Sequence, residues 1–86
     1  MKTDFDNLQK LLDQQLEWPA LYLFKFIVPQ AVKDELLSLF SEFELTLKDS
    51  SKGSYVSVSF RAEVTSSAEV VEFYRKAEQV DGVMIL

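Results

Sequence analysis

Tyr55-Val56-Ser57-Val58-Ser59-Phe60-Arg61-Ala62-Glu63-Val64 is the most regular stretch of the chain. Val56, Val58, Phe60, Ala62 and Val64 take one set of alternate positions, and Tyr55, Ser57, Ser59, Arg61 and Glu63 take the other. Side chains of a strand point alternately to its two faces, so the stretch predicts a strand with one apolar and one polar face. Such a strand belongs to a sheet covered on one side only. A slip of one residue would exchange the two faces, so the register is strongly specified.

The neighbouring segments build outward from this strand. Asp49-Ser50-Ser51-Lys52-Gly53-Ser54 is turn chemistry, with Gly53 free to take positive φ. Glu44-Leu45-Thr46-Leu47-Lys48 alternates with period two and predicts a half-buried strand. Before it, Val32, Leu36, Leu39, Phe40 and Phe43 form one helical stripe, with Asp34 and Glu35 near the positive end of the helix dipole. Pro29 is expected at the first helical position, where its missing N–H costs nothing. Residues 20–28, Ala-Leu-Tyr-Leu-Phe-Lys-Phe-Ile-Val, carry charge only at Lys25 and predict a central strand. Tyr22, Phe24, Phe26 and Val28 are assigned to its helix side, and Leu21, Leu23, Lys25 and Ile27 to the other.

At the N-terminus, Phe5, Leu8, Leu12 and Leu16 predict an amphipathic helix over about residues 4–17. Thr3 is the expected N-cap, with Asp6 three residues on, and Pro19 ends the segment. Downstream, Ser66 and Glu69 make a capping-box pattern, and Val70, Phe73, Tyr74, Ala77 and Val80 mark a further buried stripe. Asp81-Gly82 reads as a stop, and Val83-Met84-Ile85-Leu86 as a short last strand.

After the first helix the order is strand–helix–strand–strand–helix–strand. Right-handed crossovers make this a ferredoxin-like α+β plait: four antiparallel strands in spatial order 4-1-3-2, two helices on one face, and an extra N-terminal helix. The 86 residues form one domain, with a helical extension over 1–18 and the βαββαβ core over 19–86. The open face then combines Leu21, Leu23, Lys25 and Ile27 with Tyr55, Ser57, Ser59 and Arg61. Three aliphatic side chains on a bare sheet need cover, from the N-terminal helix, a second copy or a partner protein.

Composition excludes much. The chain has 0 Cys and 0 His, which removes disulfide scaffolds, zinc knuckles and nucleophile–histidine pairs. A net charge of −5 opposes nucleic-acid binding. No signal-like start and no run of about 20 apolar residues is present, so a cytoplasmic protein that does not span a membrane is expected. Ser51-Lys52-Gly53 reads as a plain turn rather than an anion nest or a nucleophile–base pair. Lys25 is expected to snorkel from the sheet or to pair with Glu63. Trp18 is expected as a lid over the core edge. No metal, cofactor or catalytic constellation emerges, and a non-enzymatic protein is expected.

Two stretches are similar to motifs of the YbeD-like bacterial proteins of unknown function. Trp18-Pro19-Ala20-Leu21-Tyr22-Leu23-Phe24-Lys25-Phe26-Ile27 resembles their opening motif, with Trp18 where phenylalanine is commoner. Ser51-Lys52-Gly53-Ser54-Tyr55-Val56-Ser57-Val58-Ser59 resembles their hairpin motif, and Tyr74 to Leu86 their ending. The resemblance covers about residues 17–86. It implies a ferredoxin-like domain close to ACT-type regulatory domains and no established activity. Carried over by position, Lys25, Lys52 and Tyr55, with Ser51 and Gly53 beside them, are the candidate partner-binding residues. The expected function is a regulatory or adaptor domain that binds a protein or a second copy of itself. An ACT-like small-molecule sensor is the alternative, although Val28-Pro29-Gln30 lacks the glycine that effector-binding ACT loops use. Single-stranded nucleic-acid binding is a further alternative, since RNA-recognition modules share the topology. Against it, Ser57 stands at their second stacking position and Tyr22 is assigned to the helix side.

Overall fold

The computed structural model describes residues 4–49 and 53–86. In chain order the elements are α1 (Phe5–Gln15), β1 (Ala20–Pro29), a 3-10 turn (Gln30–Val32), α2 (Lys33–Leu39), β2 (Thr46–Asp49), β3 (Tyr55–Val64), α3 (Ser67–Ala77) and β4 (Met84–Ile85). The strands form one sheet in the order β2-β3-β1-β4, with every pair antiparallel. This is the expected ferredoxin-like α+β arrangement.

The long pair β1–β3 carries the fold. Ten residues on each strand are in register, from Ala20 opposite Val64 to Pro29 opposite Tyr55. That register sets Phe24 against Phe60 and Phe26 against Val58 on the helix side. All four, with Val28, Val56 and Val64, are buried. The Phe24 ring lies 5.2 Å from Phe60 and 4.6 Å from Phe73, and Phe26 stacks on Phe40 at 5.7 Å. Aromatic pairs at such spacings add to the burial of their large surfaces. Leu36, Val70, Val71, Ala77 and Val80 close the core from above.

Several local expectations shift. Asp4 caps α1 by accepting from the Asn7 N–H at 3.1 Å. The expected cap, Thr3, lies outside the described residues. A carboxylate is as good a cap as a hydroxyl, so the cap moved by one position. Pro29 does not open α2: it ends β1 and caps the 3-10 turn with extended ψ. The second helix is accordingly shorter than its stripe, and Phe43 packs on the core from the turn after it. β2 is exposed at all four positions rather than half-buried, because α2 ends before it can cover this edge strand. The Ser66 hydroxyl accepts from Glu69 N–H at 3.2 Å, while the Glu69 carboxylate reaches back to Thr65 N–H rather than to Ser66. Trp18 rests against the core and donates to Asp13 at 3.1 Å, tying the end of α1 to the strand that follows.

α1 does not cover the open face. It packs beside α3 on the helix side, with Phe5 stacked at 6.3 Å on Tyr74 and the Arg75 guanidinium 5.2 Å above the Phe5 ring. Under this contact the Tyr22 and Tyr74 hydroxyls are 3.0 Å apart. Burial, then the bond to Tyr22, raises the Tyr74 phenol well above its ordinary value.

Two predictions follow from this packing. Gly82 has φ +78, and a Cβ there would sit 2.9 Å from Pro29 Cγ, whereas Gly53, at φ +72, has open space around it. The left-handed conformation alone costs an L-residue about 1–2 kcal/mol. Gly82→Ala should therefore lower stability more than Gly53→Ala, measured by urea denaturation of both variants. For Tyr74, a pKa raised on folding means that the unfolded state releases its proton first, near the ordinary value of about 10. Its contribution is intact below that pH and fades as pH rises beyond it. Tyr74→Phe should flatten the alkaline fall in melting temperature relative to the wild type.

Candidate interaction surface

β1 and β3 decide what the uncovered face presents. Residues out of phase with the core emerge there: Leu21, Leu23, Lys25 and Ile27 from β1, and Tyr55, Ser57, Ser59, Arg61 and Glu63 from β3. Pairing adds Thr46 and Lys48 beside Ser59 and Ser57, and Met84 beside Ile27. Leu21 is 69% exposed, Leu23 51% and Leu86 62%, so this face shows contiguous aliphatic surface to solvent.

Its charge differs from that of the chain. Lys25, Lys48 and Arg61 stand on it against Glu63 from β3, a local excess of cations in a chain with nine Lys and Arg and fourteen acids. No ion pair joins these three to an acid among the described residues. The pairing expected between Lys25 and Glu63 does not form: Lys25 lies opposite Ser59, and Glu63 opposite Leu21 four residues along β1. Four residues of strand span about 13 Å, beyond the reach of a contact ion pair.

Of the sequence-derived candidates, Lys25 and Tyr55 come together. They line an open hollow of about 310 Å³ with Ile27, Lys48, Asp49, Ser57 and Leu86. Tyr55 reaches it from the start of β3, opposite Pro29. Gly53 lies at the head of the same strand in a left-handed turn, and the following Ser54 carbonyl accepts from Gln30 N–H at 3.0 Å. Ser51 and Lys52 lie outside the described residues. A second hollow, of about 530 Å³, opens between Leu23, Glu44, Thr46, Ser59, Phe60 and Arg61.

Tyr22 is not on this surface. Its ring packs at 4.8 Å on Phe24 on the helix side, with its hydroxyl against Tyr74. The aromatic that an RNA-recognition module places on its first strand is therefore missing from the open face, as the alternation implied.

Sequence reasoning missed a different feature. A cleft of about 740 Å³ lies between α1 and the β4 edge, lined by Leu8, Leu11, Tyr22, Tyr74, Val83 and Ile85, and also by Asp4 and Glu78. The signal was present in the apolar stripe of α1, but where that helix docks is a tertiary fact. Among the described residues, no group of three or more Asp, Glu, His or Cys gathers as metal ligands, and no helix is long and apolar enough to cross a membrane.

Comparison with known proteins agrees with the motif resemblance. A UPF0250 protein of Shewanella sp. (strain ANA-3) is 30% identical over 83 residues, covering 88% of this chain and 94% of that protein. Those of Shewanella amazonensis and Shewanella oneidensis are 30% and 29% identical with the same coverage. No solved structure matches the chain at a significant level. Residues 13–86 match the model of the family described as "Protein of unknown function (DUF493)", so the chain belongs to that family of small, uncharacterised, YbeD-like bacterial proteins.

Proposed function

We propose that the protein is a non-enzymatic binding module, acting as a regulatory or adaptor domain, that engages a partner protein across the open face of its sheet. The observation that carries this reading is the mixed character of that face. Leu21 and Leu86 are largely exposed and Leu23 half exposed, with Lys25 and Arg61 beside them on β1 and β3 and Lys48 further out on β2. Each leucine would contribute about 1.5–3 kcal/mol if fully buried, so three of them give a partner a substantial apolar anchor. The cations at their margin select a partner of acidic rim and raise the encounter rate with it.

The surface also argues for a partner of broad, flat shape. The two hollows on it are open to solvent, and the smaller, between Lys25, Tyr55 and Leu86, is mostly apolar in the surface it shows. Lys25 and Tyr55, shared with the family's motifs, sit at the edge of the apolar patch, where a charge and a phenol set orientation.

A photo-reactive amino acid at position 23 tests the reading in the native cell, with one at Glu72, on the exposed side of α3, as the control. A discrete protein adduct is expected from position 23. Lys25→Glu combined with Arg61→Glu should reduce its yield several-fold while leaving the circular dichroism spectrum unchanged. Adducts that are equal from both positions, or no adduct from position 23, would remove the support for this surface.

A further inference from the structure

The outer edge of β2 has no neighbouring strand among the described residues, and its sequence makes it complementary to itself. The direction of its main-chain groups follows from one bond. Gln30 N–H donates to the Ser54 carbonyl at 3.0 Å, and these two residues continue the β1–β3 register by one step. In an antiparallel pair, opposed residues alternate between those that exchange main-chain bonds and those that do not. Even-numbered residues of β3 therefore turn their N–H and C=O groups to β1, and odd-numbered ones turn theirs to β2. Ser59 and Ser57 accordingly bond Thr46 and Lys48, their partners on β2. Leu47 and Asp49 point the other way, to the open edge.

The side chains decide what fits there. Leu47 stands opposite Val58, hence on the helix side, yet it is 44% exposed. A second copy related by a two-fold axis normal to the sheet would continue it antiparallel, with both helix sides facing the same way. Matching faces require the axis to pass through a residue of β2 rather than between two. On Lys48 it would set two ammonium groups opposite one another, and on Asp49 two carboxylates, and like charges so placed are destabilising. On Thr46 it would draw in Glu44 and Leu45, which lie outside the strand. On Leu47 it sets Leu47 against Leu47 and Lys48 against Thr46. The two Leu47 residues then exchange main-chain bonds through the groups that β3 leaves unused. A lysine on an edge strand ordinarily guards it. Here Lys48 meets a hydroxyl, with Glu44 of the other copy and its own mate on the two diagonals, so attraction offsets repulsion.

We propose that β2 pairs with β2 of a second copy of the chain, antiparallel and centred on Leu47, so that two four-stranded sheets join as one of eight strands. The two leucines cover one another at a position that α2 leaves bare, and the two open faces come to lie side by side on one continuous surface. The pairing rests on main-chain direction and residue order in β2, and it stands whether or not a partner protein engages the open face.

Because the chain has 0 Cys, the register can be measured by introducing one. Opposed residues that exchange main-chain bonds have Cα atoms about 5.5 Å apart, inside the disulfide range of about 4.4–6.8 Å. Under mild oxidation Leu47→Cys should form a disulfide-linked dimer several-fold faster than Thr46→Cys, and faster still than Glu72→Cys on the exposed side of α3. In the unmodified protein, amide exchange at Leu47 should slow several-fold from micromolar to millimolar concentration, while that of Lys48, already bonded to β3, stays constant. Leu47→Lys opposes two cations on the axis. It should remain at monomer mass in sedimentation equilibrium at concentrations where the mean mass of the wild type rises toward the dimer. Exchange at Leu47 that ignores concentration, cross-linking of Leu47→Cys no faster than that of Glu72→Cys, or faster cross-linking of Thr46→Cys than of Leu47→Cys would overturn the proposal.

Discussion

The ten-residue register between β1 and β3 is the constraint on which the rest of the molecule depends. It puts Phe24, Phe26, Val28, Val56, Val58 and Phe60 on one side of the sheet together. The helices are held by what that side offers them: Phe73 and Tyr74 of α3 and Phe40 after α2 pack on Phe24, Phe26 and Phe60. A shift of one residue would carry the aromatic row into water and Lys25 into the core. Burying that ammonium without a partner would cost far more than a small domain can offset. The fold and the identity of the surface residues are therefore one fact, set by one register.

That dependence explains which parts of the structure were legible in the sequence. β3 alternates without a break, so both its limits and its faces follow from its residues. β1 has apolar residues on both faces, and periodicity alone does not orient it. Lys25 does, because it is the residue of that strand that cannot go inside. The turn at Gly53 and the stop at Gly82 were legible because both need positive φ. What was not legible depends on distant contacts. Pro29 suits a helix start and a strand end equally well, and its pairing opposite Tyr55 decides for the strand. β2 alternates as a half-buried strand would, yet it lies at the sheet edge beyond the reach of α2 and stays exposed. The position of α1 depends on Phe5 finding Tyr74, sixty-nine residues along the chain.

Of the candidate site, the open-face membership of Lys25 and Tyr55 followed from alternation, and their shared hollow followed from the strand pairing. The concentration of Lys25, Lys48 and Arg61 there was not visible in the composition, because a net charge of −5 averages over helices whose exposed faces are acidic. An average of that kind predicts solubility and long-range steering better than it predicts a local surface. The same averaging hid the edge cleft. Its apolar lining comes from α1, β1, α3 and β4, each of which contributes a few residues.

The parity of β1 also separates stability from recognition along a single strand. Even-numbered positions from 22 to 28 face the helices, and odd-numbered positions from 21 to 27 face the open side and, by their main chain, the outer edge. Substitution at Phe24 removes core packing that a domain of this size cannot spare, since emptying a buried phenylalanine site costs about 3–5 kcal/mol. Substitution at Leu23, half exposed, removes little that folding uses. Leu21 and Leu23 stand beside Lys25 on that face, where the register rather than burial fixes their position.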